Sequence, residues 1–223
     1  MKDEKTLAYI NLFAILGALP YLCELDKRSA QLIEGASISV GFAVKGGPSA
    51  TLFFGGGRCR MAPGTDRCQV KLPFGSCAKF NGLIDGTVTP IPSRGITKAG
   101  FLTGTFTKLT DRLTAFLRPA PGALEDPEFF RISTALMFHV IAEAAAQTAN
   151  EDPIGQCSAA SIVDGIARLS IRGGPGAALC CRDHKLLTVH RSPEKCLSYM
   201  EFQDMRVARD LFDGRLNAIA AVG

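Results

Sequence analysis

With 223 residues, 47% hydrophobic and 21% charged, the chain has the composition of a globular protein, long enough for one large or two small domains. Lys and Arg number 25 against 21 Asp and Glu; the resulting +4 is scattered, with no basic block and no basic–aromatic interleaving, so nothing points to nucleic acid. The eight cysteines include no Cys-x-x-Cys pair and read as buried reduced thiols, which implies a cytoplasmic protein with no metal and no cofactor.

Leu7 to Cys23 is nearly all apolar, interrupted by Asn11 and Pro20. The preceding Lys2-Asp3-Glu4-Lys5 is mixed in charge and no small-x-small cleavage site follows, which argues against a signal peptide. The run is also short of the ~20 residues a membrane span needs. The expectation is a packed helix over Glu4–Leu19, stopped by Pro20, with transient membrane contact as its one other role. A short helix over Lys27–Ile33 should end in a left-handed cap at Gly35. Ser37–Val44 alternates, with Ile38, Val40, Phe42 and Val44 on one face, and predicts a half-buried strand. Strands are expected at Ala50–Phe54, Arg58–Ala62 and Cys68–Leu72, with turns at Gly46-Gly47-Pro48 and Gly55-Gly56-Gly57. A helix over Gly75–Ile84 closes at Gly86. Val88–Pro92 can only be an edge or irregular strand, because Pro90 and Pro92 lack the N–H. A last short strand is expected at Ala99–Leu102. Thr105 then caps a helix carrying Phe106, Leu109, Leu113, Phe116 and Leu117 at helical spacing.

After a Pro/Gly linker at 119–126 the order repeats. Helices are expected at Pro127–Thr148 and Ala159–Val163, and strands at Ala167–Ile171, Ala177–Cys181, Leu186–His190 and Leu197–Glu201. Asp204 caps a helix to Leu211, and a strand covers Leu216–Val222. The two Gly-Gly-Pro turns lie 127 positions apart and the Asp85-Gly86 and Asp213-Gly214 pairs 128 apart, so the chain reads as a duplicated unit of domain size. The domains are expected at 1–118 and 127–223, the second lacking a counterpart of the closing helix.

This order resembles the sterol carrier protein type 2 family, through Leu83-Ile84-Asp85-Gly86-Thr87, the following short strand and the amphipathic helix from Phe106 to Leu113. The resemblance covers residues 4–118 fully and 127–223 in part. It implies an α+β fold of two such domains, each a mostly antiparallel five-stranded sheet, shorter in the second copy, with helices on one face. It further implies a non-catalytic carrier holding an acyl chain or sterol-like lipid in an apolar tunnel between sheet and helices. The lining candidates are Phe54, Phe74, Phe80, Leu83, Ile84, Phe101, Phe106, Leu109, Leu113 and Phe116. Apolar residues on an inner helix face also serve as plain core, so the alternative is an interaction module of the same fold with a filled interior. A homodimer covering the incomplete second domain belongs to either reading.

An enzyme is not expected. His139 sits in an apolar helix, His184 in a polar turn and His190 at a strand end, and neither Cys77 nor Cys157 has a neighbouring histidine in sequence. The glycine-rich turns match neither a Walker loop nor a dinucleotide-binding pattern. No paired carboxylates share a helix face for acid–base work.

Overall fold

The computed structural model describes residues 3–189 and 196–212. The chain divides into two compact units, Met1–Arg118 and Pro119–Gly223. Both are α+β, each with a four-stranded mixed sheet among the described residues.

Unit 1 opens with one long helix, α1, Glu4–Leu25. Asp3 caps it, its carboxylate accepting from the Lys5 and Thr6 amides. Pro20 does not stop this helix. Residues Ile10–Ile15 widen into a π turn, Leu16–Ala18 tighten into a 3-10 turn, and α geometry resumes at Leu19. The carbonyl of Leu16, which an ordinary residue 20 would bond, is taken by the Leu19 amide. Pro20 therefore falls in the first turn of a fresh helical run, where the missing N–H costs little. By length and apolar content α1 would also suffice to cross a membrane, as would the second unit's Pro127–Glu151. Here α1 buries Ala8, Leu12, Leu16, Leu19 and Leu22 in the unit's interior. Each leucine contributes about 1.5–3 kcal/mol on leaving water.

Asp26 separates α1 from α2, Lys27–Leu32. Gly35 is not in the left-handed region; Ile33 is the C-cap of α2, with an ordinary negative φ of −112°. Then come β1 (Ser37–Val44), β2 (Ser49–Gly55), β3 (Arg58–Pro63), β4 (Val70–Phe74) and α3 (Cys77–Ile84). The sheet order is β3-β2-β1-β4. β1 pairs antiparallel with β2 and parallel with β4, so the sheet is mixed. No fifth strand forms where one was expected. Val88–Pro92 is irregular, and the chain touches β4 just beyond it, through a single bridge of Arg94 with Lys71. Ala99–Leu102 is helical: the chain runs through Ala99–Phe101 and a second π turn, Leu102–Phe106, into α4, Thr107–Leu117. Thr105 accordingly lies inside helical structure and caps nothing. Ala, Phe and Leu suit either state, and here the continuous apolar stripe through Phe106, Leu109 and Leu113 extends backwards and recruits them.

Unit 2 follows with α5 (Pro127–Glu151), α6 (Pro153–Ala159), β5 (Gly165–Ile171), β6 (Gly176–Arg182), β7 (Lys185–Val189), β8 (Ser198–Phe202) and α7 (Met205–Phe212). The short helix expected at Ala159–Val163 lies one turn earlier. Asp152 caps it by accepting from Ile154 and Gly155, with Pro153 at its first position. Asp204 accepts from the Arg206 and Val207 amides at the start of α7, as its position implied. Phe138, Ile171, Phe202 and Ala208 form the core beneath the sheet. The strand expected at Leu216–Val222 lies outside the described residues.

The two sheets repeat in register as well as order. Val40 pairs with Leu52 and Ala167 with Leu179; Thr51 pairs with Ala62 and Ala178 with Val189. Each position is shifted by 127. Val70 beside Val40 becomes Ser198 beside Ala167, a shift of 128, so one residue is inserted between the third and fourth strands. The turns match too. Gly46 and Gly173 take φ of 72° and 66°, and Val44 and Ile171 each donate to the proline carbonyl that follows their turn, Pro48 and Pro175.

Asn11, the polar residue inside the apolar run, is buried in the π turn and donates to Asn81 Oδ1 at 3.0 Å. Asn81 Nδ2 in turn donates to the Glu4 carbonyl and carboxylate at 3.1 and 2.6 Å. This network fastens α1 to α3. Asn81→Ala strands the Asn11 amide and is expected to destabilise the protein by about 1–3 kcal/mol in urea unfolding.

Candidate functional site

Unit 1 contains an apolar cavity of about 450 Å3. Its walls come from five places. α1 supplies Ile15 and Leu16 from its π and 3-10 turns, the sheet supplies Phe42 and Leu72, and the end of α3 supplies Leu83 and Ile84. The helical segment from Ala99 onward supplies the rest, including Leu102, Phe106 and Leu113, and Pro90 and Pro92 close one side from the loop. Both π turns thus face the same space, and such turns gather at functional sites because they displace a helix face locally.

The wall reads as more polar than it is. Thr103, Thr107, Thr110 and Thr114 all line the cavity, yet each hydroxyl donates to a carbonyl of its own helix: Ala99, Leu102, Phe106 and Thr110 respectively, at 2.9–3.4 Å. Their hydrogen bonding is satisfied without a ligand. The single charged lining residue is Asp111, which is exposed.

The loop that carries Pro90 and Pro92 is set by Gly82 in α3. The Thr87 and Val88 amides and the Thr87 hydroxyl all donate to the Gly82 carbonyl, at 2.8, 3.0 and 3.1 Å. A Cβ on residue 82 would lie 2.7 Å from Val88 Cγ2 and 2.9 Å from Thr87 Oγ1. Only glycine lets the loop fold back this tightly. Gly86, at φ 73°, makes the reversal.

Of the ten lining candidates, Leu83, Ile84, Phe106 and Leu113 border the cavity. Phe54, Phe74, Phe80, Leu109 and Phe116 are buried. Phe101 is half-buried and stacks on Phe54 at 5.2 Å and on Phe106 at 6.5 Å. Phe74 meets Phe80 edge-on at 5.1 Å, and Phe80 meets Phe42 at 6.3 Å. This aromatic cluster fills the part of the interior next to the open space. Sequence reasoning missed Ile15, Leu16, Phe42, Leu72 and the two prolines. Phe42 and Leu72 carried a usable signal, being inward positions of strands that the alternation had located.

α4 is held in place by a partly buried ion pair. Arg112 reaches Asp26 Oδ2 through both Nη2, at 2.6 Å, and Nε, at 2.8 Å. The same oxygen accepts from the Ser29 amide and hydroxyl at 3.0 and 2.5 Å, capping α2. One carboxylate therefore ties together the end of α1, the start of α2 and α4.

The candidate reactive groups are dispersed. Cys77 is half-buried, with its sulfur 3.8 Å from the Gly46 carbonyl, and burial, followed by the charge of Asp3, pushes its thiol up rather than toward the thiolate. Cys157 is exposed on α6. His184 is exposed in the β6–β7 turn at φ 60°, His139 is half-buried in α5, and His190 lies outside the described residues. Among the described residues no three His, Cys, Asp or Glu side chains gather as metal ligands. No protein-family model, curated protein or solved structure matches the chain.

The Asp26 carboxyl is pushed up by burial, but hydrogen bonds from Ser29 and Arg112 and the Arg112 charge outweigh this and hold it below its ordinary 3.8. A lowered folded value contributes stability that is complete above pH 3.8 and lost as pH falls through the folded value. Acid unfolding of the protein is therefore expected to steepen below about pH 4. Arg112→Met should flatten that segment of the curve, read by circular dichroism across a pH series.

Proposed function

We propose that unit 1 is a non-catalytic carrier of a neutral apolar ligand, a sterol-like or similar lipid, held between sheet and helices in the manner of the sterol carrier protein type 2 family. The observation that carries this reading is the 450 Å3 cavity, which falls in the size range of ligand pockets and is walled by aliphatic, aromatic and proline side chains. Binding there is by burial, at ~25 cal/mol for each Å2 of ligand surface removed from water. The four helical threonine hydroxyls are already committed, so few polar groups beyond exposed Thr89 are left to fix orientation. Asp111 at the rim disfavours a carboxylate or phosphate head group by like-charge repulsion. Ile91 and Ile96 are largely exposed on the segment that borders the cavity, which suits brief contact with a membrane during loading, and the reduced thiols suit a cytoplasmic location.

A second reading is association through unit 2. Leu187, Leu197, Tyr199 and Met200 are exposed on or beside its strands, and such side chains favour a second copy of the chain as cover. Sedimentation analysis would show a dimer that Tyr199→Lys dissociates.

Native mass spectrometry of protein purified without detergent is expected to show a bound lipid mass. Dehydroergosterol should bind more tightly than palmitate, and Asp111→Asn should narrow the gap. Leu83→Trp, which fills the cavity from a half-buried position, should weaken sterol binding by at least ~10-fold, or about 1.4 kcal/mol. Protein that carries no lipid and binds neither probe overturns the proposal.

A further inference from the structure

Unit 1 has a second recess, of about 710 Å3, that shares no residue with the apolar cavity. Cys23, Glu24, Lys27, Arg58 and Cys59 line it. Cys23 stands near the end of α1 and Cys59 is the second residue of β3; these two elements pack together. Both thiols are nearly buried, at 5% and 8% exposure, yet both open onto the recess. They hydrogen-bond each other, and both are reduced.

Unit 2 shows what this junction is used for. Counting 127 on from Cys23 and Cys59 gives Asn150 and Leu186. There the Asn150 side chain donates to the Leu186 carbonyl at 2.7 Å and accepts from the Leu186 amide at 2.9 Å. The end of the long helix is tethered to the start of the third strand by two hydrogen bonds. In unit 1 the same two positions are both cysteine.

We propose that Cys23 and Cys59 form a reversible disulfide site, oxidised by a low-molecular-weight disulfide such as glutathione disulfide entering the recess. The steps balance as thiol–disulfide exchange. The Cys23 thiolate attacks one sulfur of glutathione disulfide, forming a mixed disulfide and releasing one glutathione thiolate, which takes up a proton. Cys59 then loses its proton, attacks the Cys23 sulfur of the mixed disulfide and releases the second glutathione. Two protein thiols surrender two electrons and two protons, and one glutathione disulfide becomes two glutathione molecules. The order follows from the pair's environment. The hydrogen bond to Cys23 and then burial push the Cys59 thiol up, which disfavours Cys59 as the first attacker and leaves it the resolving role. Lys27 and Arg58 suit the carboxylates of the reagent, and Glu24 and Glu34, which line the same recess, suit its ammonium groups. The inference is independent of what the apolar cavity holds.

The test is incubation of the whole folded chain in glutathione buffers of graded oxidised-to-reduced ratio, followed by acid quenching and non-reducing peptide mapping. The expected result is a linked peptide joining Cys23 to Cys59, abolished by dithiothreitol and accompanied by a rise of about 5 °C in the melting midpoint. Cys59→Ser should instead trap glutathione on Cys23, which a purely structural pair would not do. Absence of the linked peptide in the wild-type chain at ratios where exposed Cys157 takes up glutathione overturns the proposal. So does stable glutathione on wild-type Cys23 without the link. Should Cys59→Ser fail to fold, the wild-type map decides alone.

Discussion

The architecture of unit 1 depends on seating an unbroken apolar helix against a sheet. α1 is too apolar to stand in water, and it is long enough that a straight α-helix would keep only a narrow stripe against its support. The chain meets this by changing helical pitch twice within it. The change lets Pro20 pass without a break and sets Ile15 and Leu16 toward open space while Leu12, Leu19 and Leu22 pack. Two polar fastenings then fix the helix. Asn11 binds it to α3 through Asn81, and Asp26 binds its far end to α4 through Arg112. Packing alone is non-directional, so these fastenings give the helix its position along the sheet.

Much of this was legible in the residues. Alternation located β1 to the residue but misjudged its cover: Ser39 and Gly41, on the face opposite Val40 and Phe42, are buried too, so the strand is enclosed on both sides rather than half-buried. The duplication was legible because its punctuation is glycine at left-handed positions, where other residues are strained. Three expectations failed for a common reason: local propensity was read without its tertiary setting. Pro20 was taken as a stop, yet an adjacent 3-10 turn had already used the carbonyl at stake. Gly35 was taken as a left-handed cap, yet the helix closes at Ile33 as expected without Gly35 entering the left-handed region. Ala99–Leu102 was taken as a strand, yet the helix downstream captured it.

The site was half legible. Helical spacing picked out Phe106 and Leu113, and the Asp-Gly turn picked out Leu83 and Ile84. What spacing could not reveal is which inward residues meet one another and which meet space. Phe54, Phe74, Phe80 and Phe101 looked like cavity wall and instead fill the interior with one another's rings. Nor does a sequence show that four threonines have spent their hydroxyls on their own helix, which is why the wall is greasier than its letters.

Each π turn is an α-helix carrying one surplus residue, and both of unit 1's π turns border the cavity. Removing a single residue from either would restore regular winding and swing one flank of that helix through roughly 100° about its axis. Ile15 or Phe106 would then exchange places with a neighbour of different bulk. The volume on offer is thus set partly by arithmetic, the count of residues per turn, and a lineage could retune that volume by gaining or losing one codon without touching the sheet.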